Sequence, residues 1–209
     1  MNDPSPGMPA PAYAPDLFDS IDTLRAGGFD GFATVNDLIG SRCAEVPVTR
    51  GVYLVVREPA LPPRFMPSSS AGLFRGQKAS VKVEVLTGKW VADAIVLYVG
   101  QAGGTGVRSQ LQQRIKRYIR FGSGKSVNHW NGRYVWQLAD HRKLRFAWLA
   151  EDQPAGLEAR LLEAFEARYA ALPFANLRTE SDDDDADNAD IAHTAAADLD
   201  TNAKEPDEA

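Results

Sequence analysis

The sequence predicts one α+β domain between two disordered ends, and three observations lead to this fold class. Short runs rich in β-branched and aromatic residues alternate with segments of helical periodicity. Hydrophobic residues make up 44% of the 209 residues, which is enough for one core. Residues 1–14 and 179–209 are low in complexity and too polar to pack, so we expect both to be disordered.

Five segments have the composition of β-strands. The two strongest are 51–57 (GVYLVVR) and 95–99 (IVLYV), since both are dense in β-branched and aromatic residues. Residues 81–85 alternate and predict a minor strand, while 133–138 and 144–149 predict two more.

Four segments have helical periodicity. The predicted helices are 16–25, which Gly27 and Gly28 stop, 34–42, which Thr34 caps, 111–120, and 157–172. We therefore divide the chain into a leader (1–14), an N-terminal helical segment packed on the core (15–50), a main domain (51–178) and an acidic tail (179–209). Within the main domain, residues 58–94 predict an insertion, because 59–80 are rich in Pro, Ser and Gly.

Several classes of protein are excluded by simple features. The single cysteine, Cys43, excludes an internal disulfide and a thiolate zinc site, and we interpret it as an idle thiol. No apolar run reaches the roughly 18 residues that a membrane helix needs. The first 15 residues have neither a basic region nor an apolar stretch, so we expect no signal peptide, no membrane association and a cytoplasmic location.

The charge is divided unevenly along the chain. The formal net charge is −5, yet residues 180–209 hold twelve of the 28 acidic residues and one of the 23 basic ones. Residues 108–145 instead hold ten Lys or Arg and one acid, Asp140, with five aromatic residues among them. Cations interleaved with aromatics suit a phosphate backbone and stacked bases, and a solvated basic face is the alternative. The tail is a solubilising segment, a mimic of nucleic acid or a contact for protein partners.

Five motifs follow one another in a fixed order. They are Gly51-Val52-Tyr53, Tyr98-Val99-Gly100 with a glycine-rich turn at 103–106, a helix carrying Arg114 and Tyr118, a helix carrying Glu158, and finally Asn176. This order resembles the GIY-YIG nuclease family, which includes homing endonucleases, some restriction enzymes and the nuclease half of the bacterial excision-repair endonuclease. The resemblance implies a central antiparallel sheet flanked by helices. It also implies a DNA endonuclease of repair or genome defence that depends on a single Mg²⁺ or Mn²⁺.

The resemblance also implies a role for each matching residue. Tyr53 would activate the attacking water, Tyr98 would position it, and Arg114 would contact the phosphate, with Tyr118 one helical turn on. Glu158 would be the metal ligand and Asn176 would brace the site. A tyrosine, whose pKa is ordinarily about 10, needs a nearby cation to act as a base near neutrality. The residues predicted to contact DNA are Arg108, Lys116, Arg117, Arg120, Lys125 and His129.

Two glutamates on the last predicted helix compete for the role of metal ligand. At about 100° per residue, Glu158 falls in the apolar stripe that faces the sheet, whereas Glu163 falls roughly 140° away, on the wet side. A carboxylate that faces the core needs a partner, so we favour Glu158. The spacing of Glu163 from Asn176 is nearer to that of the repair nucleases, and a structural ion pair between Glu158 and Arg114 is a further alternative.

The sequence departs from the family's usual pattern at three points. The insertion at 58–94 separates two strands that a short hairpin usually joins, so these strands must still pair. Counting rigidly from Tyr98 selects Arg108, whereas the helical pattern LQQRIKRY selects Arg114. Gln101 stands where repair nucleases tend to carry a lysine. A nucleic-acid-binding module without cleavage activity is therefore the alternative function, and an adaptor that binds through its acidic tail is a third hypothesis.

Overall fold

The computed structural model describes residues 13–58, 62–103, 109–127 and 130–177. Its strands, numbered in chain order, are β1 (Asp30–Thr34), β2 (Gly51–Val56), β3 (Leu73–Phe74), β4 (Gln77–Lys78), β5 (Val96–Ala102) and β6 (Arg145–Ala150). Four of them form an antiparallel sheet in the order β1–β6–β2–β5, and β3 pairs with β4 in a separate hairpin. The fold is therefore mixed α and β around an antiparallel sheet, as predicted.

Helices flank this sheet. They are α1 (Ile21–Ala26), α2 (Val35–Gly40), α3 (Val83–Lys89), α4 (Leu111–Gly122) and α5 (Pro154–Tyr169), together with 3-10 helices at Pro15–Phe18, Arg133–Gln137 and His141–Lys143. No helix in the described ranges is both long and apolar enough to cross a membrane.

The core lies in two layers, one on each face of the sheet. β2 is buried at every position, so its alternating side chains contribute to both layers. Tyr53 and Val55 join the layer that contains the apolar face of α4. Val52 and Leu54 join the layer that contains α5 and the N-terminal helices.

The segments 34–42 and 144–149 were predicted with nearly the observed bounds. Thr34 caps α2, because its hydroxyl accepts the Asp37 N–H while the Asp37 carboxylate accepts the Thr34 N–H. The last helix begins earlier than predicted, at Pro154, whose fixed φ suits a first helical position. It ends at Tyr169, since Ala170 takes a left-handed φ of 53°.

The predicted single helix at 16–25 is wrong. The chain forms a 3-10 helix over Pro15–Phe18, and α1 starts anew after Ser20. Ser20 has extended backbone dihedrals and its hydroxyl accepts the Thr23 N–H, which makes it the N-cap of α1. This capping box interrupts the helical pattern of the sequence.

The predicted strand at 81–85 is also wrong, because α3 begins at Val83. The alternating valines do not share a buried face: Val85 is 42% exposed, whereas Leu86 is fully buried. The predicted strand at 133–138 is a 3-10 helix, Arg133–Gln137, which follows Gly132 at a left-handed φ of 78°. Its consecutive burial does not alternate, so the aromatic composition of this segment misled the prediction.

The strand β1 was not predicted from the sequence. Its sequence, DGFAT, carries a charge and a glycine, and Phe32 has a positive φ of 54° beside an irregular pairing with β6. Pairing with β6 therefore creates this strand, where local composition does not favour one.

The two strands separated by the insertion are direct neighbours. β2 and β5 pair from Gly51 opposite Ala102 to Val56 opposite Val96. In its described parts, the chain between them runs through β3, β4 and α3, none of which joins the four-stranded sheet. The two strands therefore pair despite the insertion, as the prediction required.

Candidate active site

The start of β2 and the ends of β5 and β6 lie side by side at one end of the sheet. The pairing places Gly51 opposite Ala102 on one side and opposite Ala150 on the other. α4 begins at this end, where the Leu111 N–H donates to the Thr49 carbonyl over 2.8 Å. α5 begins four residues after β6 ends, so the two helices start here on opposite faces of the sheet.

Three tyrosines from three elements pack ring against ring on the α4 face. Tyr53 lies opposite Gly100 and Val55 opposite Tyr98, so the two strand tyrosines are diagonal neighbours. The ring centroids lie 5.9 Å apart for Tyr53 and Tyr98, 6.3 Å for Tyr53 and Tyr118, and 5.6 Å for Tyr98 and Tyr118. The structure therefore brings together the three tyrosines that the motifs selected.

Gly100 leaves the space in which two of these rings meet. A Cβ atom built on Gly100 would lie 2.7 Å from Cζ of Tyr53 and 2.7 Å from Cε1 of Tyr98. Both distances are far below a normal contact between carbon atoms. A side chain at this position would have to displace a ring, so the glycine of the Tyr-Val-Gly motif has a direct steric role.

The Tyr53 hydroxyl is buried and makes no hydrogen bond of normal geometry in the described part of the chain. Burial raises the pKa of Tyr53, while the charge of Arg114 and hydrogen bonding by Tyr98 and Arg114 favour its anionic form, and the Glu158 carboxylate opposes that form. The site therefore has a buried hydroxyl close to one cationic and one anionic side chain.

The other two tyrosines hold their protons more firmly. Burial raises the pKa of Tyr98 well above its ordinary value, and the neighbouring Tyr53 and Tyr118 add to this effect. Burial and Tyr53 do the same to the pKa of Tyr118. The Tyr118 hydroxyl donates to the Gly132 carbonyl, so its proton has a structural use. Tyr118 is therefore placed to position the two strand tyrosines.

Arg114 lies on the inner face of α4, one turn before Tyr118. It is 9% exposed, an unusual burial for an arginine, and its charge acts on both Tyr53 and Tyr98. Arg114, which was predicted as the phosphate contact, therefore lies at the tyrosine cluster. Arg108, the alternative position, lies outside the described residues.

Glu158 lies in the second turn of α5 and interacts electrostatically with both Tyr53 and Tyr98. It is half-buried and lies at the margin of the buried stripe formed by Leu157, Leu161 and Phe165. The prediction that it lies within this stripe is therefore wrong. Glu163 is exposed. The helical angles therefore predicted more burial for Glu158 than the structure shows. They predicted correctly that Glu158 is more buried than Glu163.

Asn176 binds the open edge of β5. Its side-chain oxygen accepts the Val99 N–H over 2.9 Å, and its side-chain nitrogen donates to the Val99 carbonyl over 2.8 Å. The Ala175 N–H also donates to the Leu97 carbonyl over 2.8 Å. Both polar atoms of the Asn176 amide are thus used on the residue after Tyr98, which makes Asn176 a brace for this strand.

The residues predicted to contact DNA fall into two groups. Lys116, Arg120 and Lys125 are exposed on or just after α4, and Arg117 is half-buried there. His129 and Arg108 lie outside the described residues, as do residues 104–106 of the predicted glycine-rich turn and the acidic segment 180–209. The outer face of α4 is therefore basic, while its inner face carries Arg114 and Tyr118.

Only one carboxylate, Glu158, is seen to act on the tyrosine cluster in the described residues. No three His, Cys, Asp or Glu side chains come together in these parts of the chain. Mg²⁺ commonly takes one or two carboxylates and completes its octahedron with water. Among the described residues at the tyrosine cluster, Glu158 is the carboxylate that could hold such a hydrated ion.

Cys43 has no part in this site. Burial raises the pKa of its thiol to about 11, and the S–H donates to the Leu38 carbonyl. Since the thiolate is the reactive form, this cysteine is an inert core residue near neutral pH, in agreement with the sequence interpretation.

Two further residues contribute to the cluster and were not predicted from the sequence. Phe146 of β6 stacks on Tyr53, with ring centroids 6.3 Å apart and an angle of 14° between planes. Gly132 lies against Tyr118, since a Cβ atom there would be 2.2 Å from the Tyr118 hydroxyl. An aromatic residue in a strand and a glycine in a turn have no local signal that links them to the tyrosines.

No protein-family model matches this chain, and comparisons with curated proteins and with solved structures find no match.

Proposed function

We propose that this chain is a divalent-metal-dependent DNA endonuclease of the GIY-YIG type, acting in the cytoplasm in DNA repair or genome defence. The main support is the meeting of Tyr53, Tyr98, Arg114 and Glu158 at one end of the sheet, from four elements distant in sequence. Titratable groups that perturb each other in this way are typical of active sites.

Hydrolysis of a phosphodiester requires a nucleophile and a group that offsets charge on the phosphoryl oxygens. Arg114 supplies the second function, since a guanidinium donates two hydrogen bonds to a phosphate and keeps its charge when buried. Its charge acts on Tyr53 and Tyr98, so a phosphate held by Arg114 would lie beside the tyrosine cluster.

Tyr53 is the residue that orients the attacking water. Its hydroxyl can hydrogen-bond the water, and its anionic form can take a proton from that water. Arg114 and Tyr98, which its raised pKa keeps protonated, favour this anion, and the anion becomes a neutral tyrosine when it accepts the water's proton. Glu158 would hold a divalent ion, which when bound supplies the positive charge that brings the pKa of a buried tyrosine toward neutrality.

A nucleic-acid-binding module without cleavage activity is the second candidate, and one observation favours it. Burial raises the pKa of Tyr53, so this residue is protonated near neutral pH in the chain by itself. The basic outer face of α4 would still bind DNA phosphates in such a protein.

Nicking of supercoiled plasmid in Mg²⁺ or Mn²⁺ tests the proposal. We expect wild type and Glu163→Gln to nick, and Glu158→Gln to be more than about 100-fold slower, because a neutral amide holds a divalent ion weakly. Glu163→Gln is a matched control on the exposed side of the same helix. Equal rates in both variants would overturn the role of Glu158. DNA binding without nicking by wild type would favour the second candidate.

A further inference from the structure

A small hairpin, β3 and β4, lies in the insertion between the two tyrosine strands. Its two strands are joined by Arg75 and Gly76, both with left-handed backbone, at φ 47° and 79°. Two turn residues with positive φ give a two-residue turn whose twist matches that of the paired strands. Arg75 and Lys78 are exposed, so the hairpin presents two cations.

The hairpin is anchored to the C-terminal end of α4. The Gly72 N–H donates to the Phe121 carbonyl over 2.8 Å, and the Ser70 hydroxyl donates to the Gly122 carbonyl over 3.0 Å. A Cβ atom on Gly72 would lie 2.1 Å from the Lys125 carbonyl oxygen, so only glycine permits this approach. The insertion thus continues the surface on which α4 ends.

A ladder of stacked groups fixes the hairpin further. Phe74 stacks on Trp130, with ring centroids 5.0 Å apart and 29° between planes, and the Arg133 guanidinium lies 3.9 Å from the Trp130 centroid. Aromatic and cation–π contacts of this geometry each stabilise the arrangement. The hairpin is therefore held in a defined position before any ligand binds.

The two joined segments carry cations and no acid. Residues 62–83 contain four basic residues and residues 109–138 contain six, and neither range contains Asp or Glu. On the described surface, Arg75 and Lys78 of the hairpin extend the exposed set Lys116, Arg120 and Lys125. Exposed cations on two joined segments that contain no acid of their own suit a polyanion whose charges repeat along its length.

We propose that the β3–β4 hairpin is a second DNA-contacting element, in which Arg75 and Lys78 bind backbone phosphates flanking the bond at the tyrosine cluster. This inference rests on the proposed DNA endonuclease function and assigns a role to the insertion. The hairpin extends the α4 surface and so lengthens the DNA segment that the chain holds in register. Phosphate contacts fix register and orientation without reading the base sequence.

The double variant Arg75→Asn/Lys78→Gln tests the inference. Asn tolerates the left-handed backbone of Arg75, so the turn is kept. The control is Arg25→Gln/Arg168→Gln, which removes the same charge from exposed arginines on α1 and α5, whose apolar side chains belong to the other core layer. Binding of a DNA duplex is measured at several salt concentrations, with the melting temperature as the folding check.

We expect the hairpin variant to weaken DNA binding at least about tenfold near 0.1 M salt and to reduce the salt slope by about two, one for each lost phosphate contact. The control should change binding less than about twofold. Equal weakening in both variants, or none in the hairpin variant, overturns the inference while the endonuclease proposal stands. No DNA binding by wild type overturns both. If the double variant melts early, Lys78→Gln alone, outside the turn, should reduce the slope by about one.

Discussion

Gly100 shows how one residue controls the geometry of the cluster. We predict that Gly100→Ala lowers the free energy of unfolding by about 1–3 kcal/mol, because the new methyl group meets the Tyr53 and Tyr98 rings at 2.7 Å. Gly88→Ala is the matched control. Gly88 lies in α3, and a methyl group there would have nothing within 4 Å, so alanine should stabilise the chain by up to about 1 kcal/mol. Urea unfolding measures both changes, and equal effects would contradict this steric role.

The three buried tyrosines predict a loss of stability at high pH. Their pKa values are raised in the folded chain, so the unfolded chain loses these protons first, above about pH 10. The stabilisation is complete below that pH and disappears as the pH rises toward the folded pKa values. The free energy of unfolding should then fall by about 1.4 kcal/mol per pH unit for each tyrosine.

Urea unfolding between pH 9 and 12 measures this slope. Tyr98→Phe and Tyr118→Phe should each make the slope shallower by one proton relative to wild type. A wild-type stability that stays flat to pH 11.5 would contradict the raised pKa values.

At the scale of residues, the sequence predicted those site residues that stand in recognisable local motifs. Tyr53, Tyr98 and Arg114 stand in short motifs on strands or helices, and the structure brings these three side chains together. Phe146 and Gly132 were not found, because their contacts with the tyrosines depend on how distant segments pack. Contacts between distant segments leave no periodic pattern in a single sequence.

At the scale of elements, the edge strand β5 depends on the chain after α5. We predict that Asn176→Ala lowers the free energy of unfolding by about 1–3 kcal/mol, because Val99 loses hydrogen bonds to its N–H and its carbonyl. Hydrogen exchange at the Val99 amide should accelerate at the same time. Asn36→Ala, at an exposed position of α2, should leave both quantities nearly unchanged. An Asn176→Ala chain with wild-type exchange at Val99 would show that the brace is dispensable.

The elements that were predicted well have strong local patterns. β2 and β5 are dense in β-branched and aromatic residues, and α4 buries one clear apolar face. The errors at 81–85 and 133–138 lie where composition and packing disagree. In both segments, local composition favours strands while the buried side chains of the fold require helical turns.

At the scale of the whole molecule, the candidate site exists only when the chain is folded. Tyr53 and Tyr98 come from neighbouring strands, Arg114 from a helix on one face and Glu158 from a helix on the other. The insertion adds a basic hairpin to the same face as α4 without disturbing the pairing of β2 with β5. A long insertion can therefore modify the surface of the fold while leaving the site end of the sheet intact.

The proposed function depends above all on the Tyr53 hydroxyl, which we propose contributes to cleavage and not to the stability of the fold. Its oxygen is buried and makes no hydrogen bond of normal geometry in the described residues, so Tyr53→Phe should leave the melting temperature nearly unchanged. Tyr134→Phe is the matched control, since Tyr134 is also buried and its ring lies 5.9 Å from that of Phe174.

Single-turnover cleavage of a DNA substrate in Mg²⁺ or Mn²⁺, with the melting temperature of each variant, tests this role of Tyr53. We expect Tyr53→Phe to reduce the cleavage rate by about 100-fold or more, as loss of a positioned acid–base group does, without loss of stability. Tyr134→Phe should cleave at the wild-type rate. Cleavage by Tyr53→Phe at the wild-type rate, or a loss of activity that only follows a loss of stability, would contradict a chemical role for this hydroxyl.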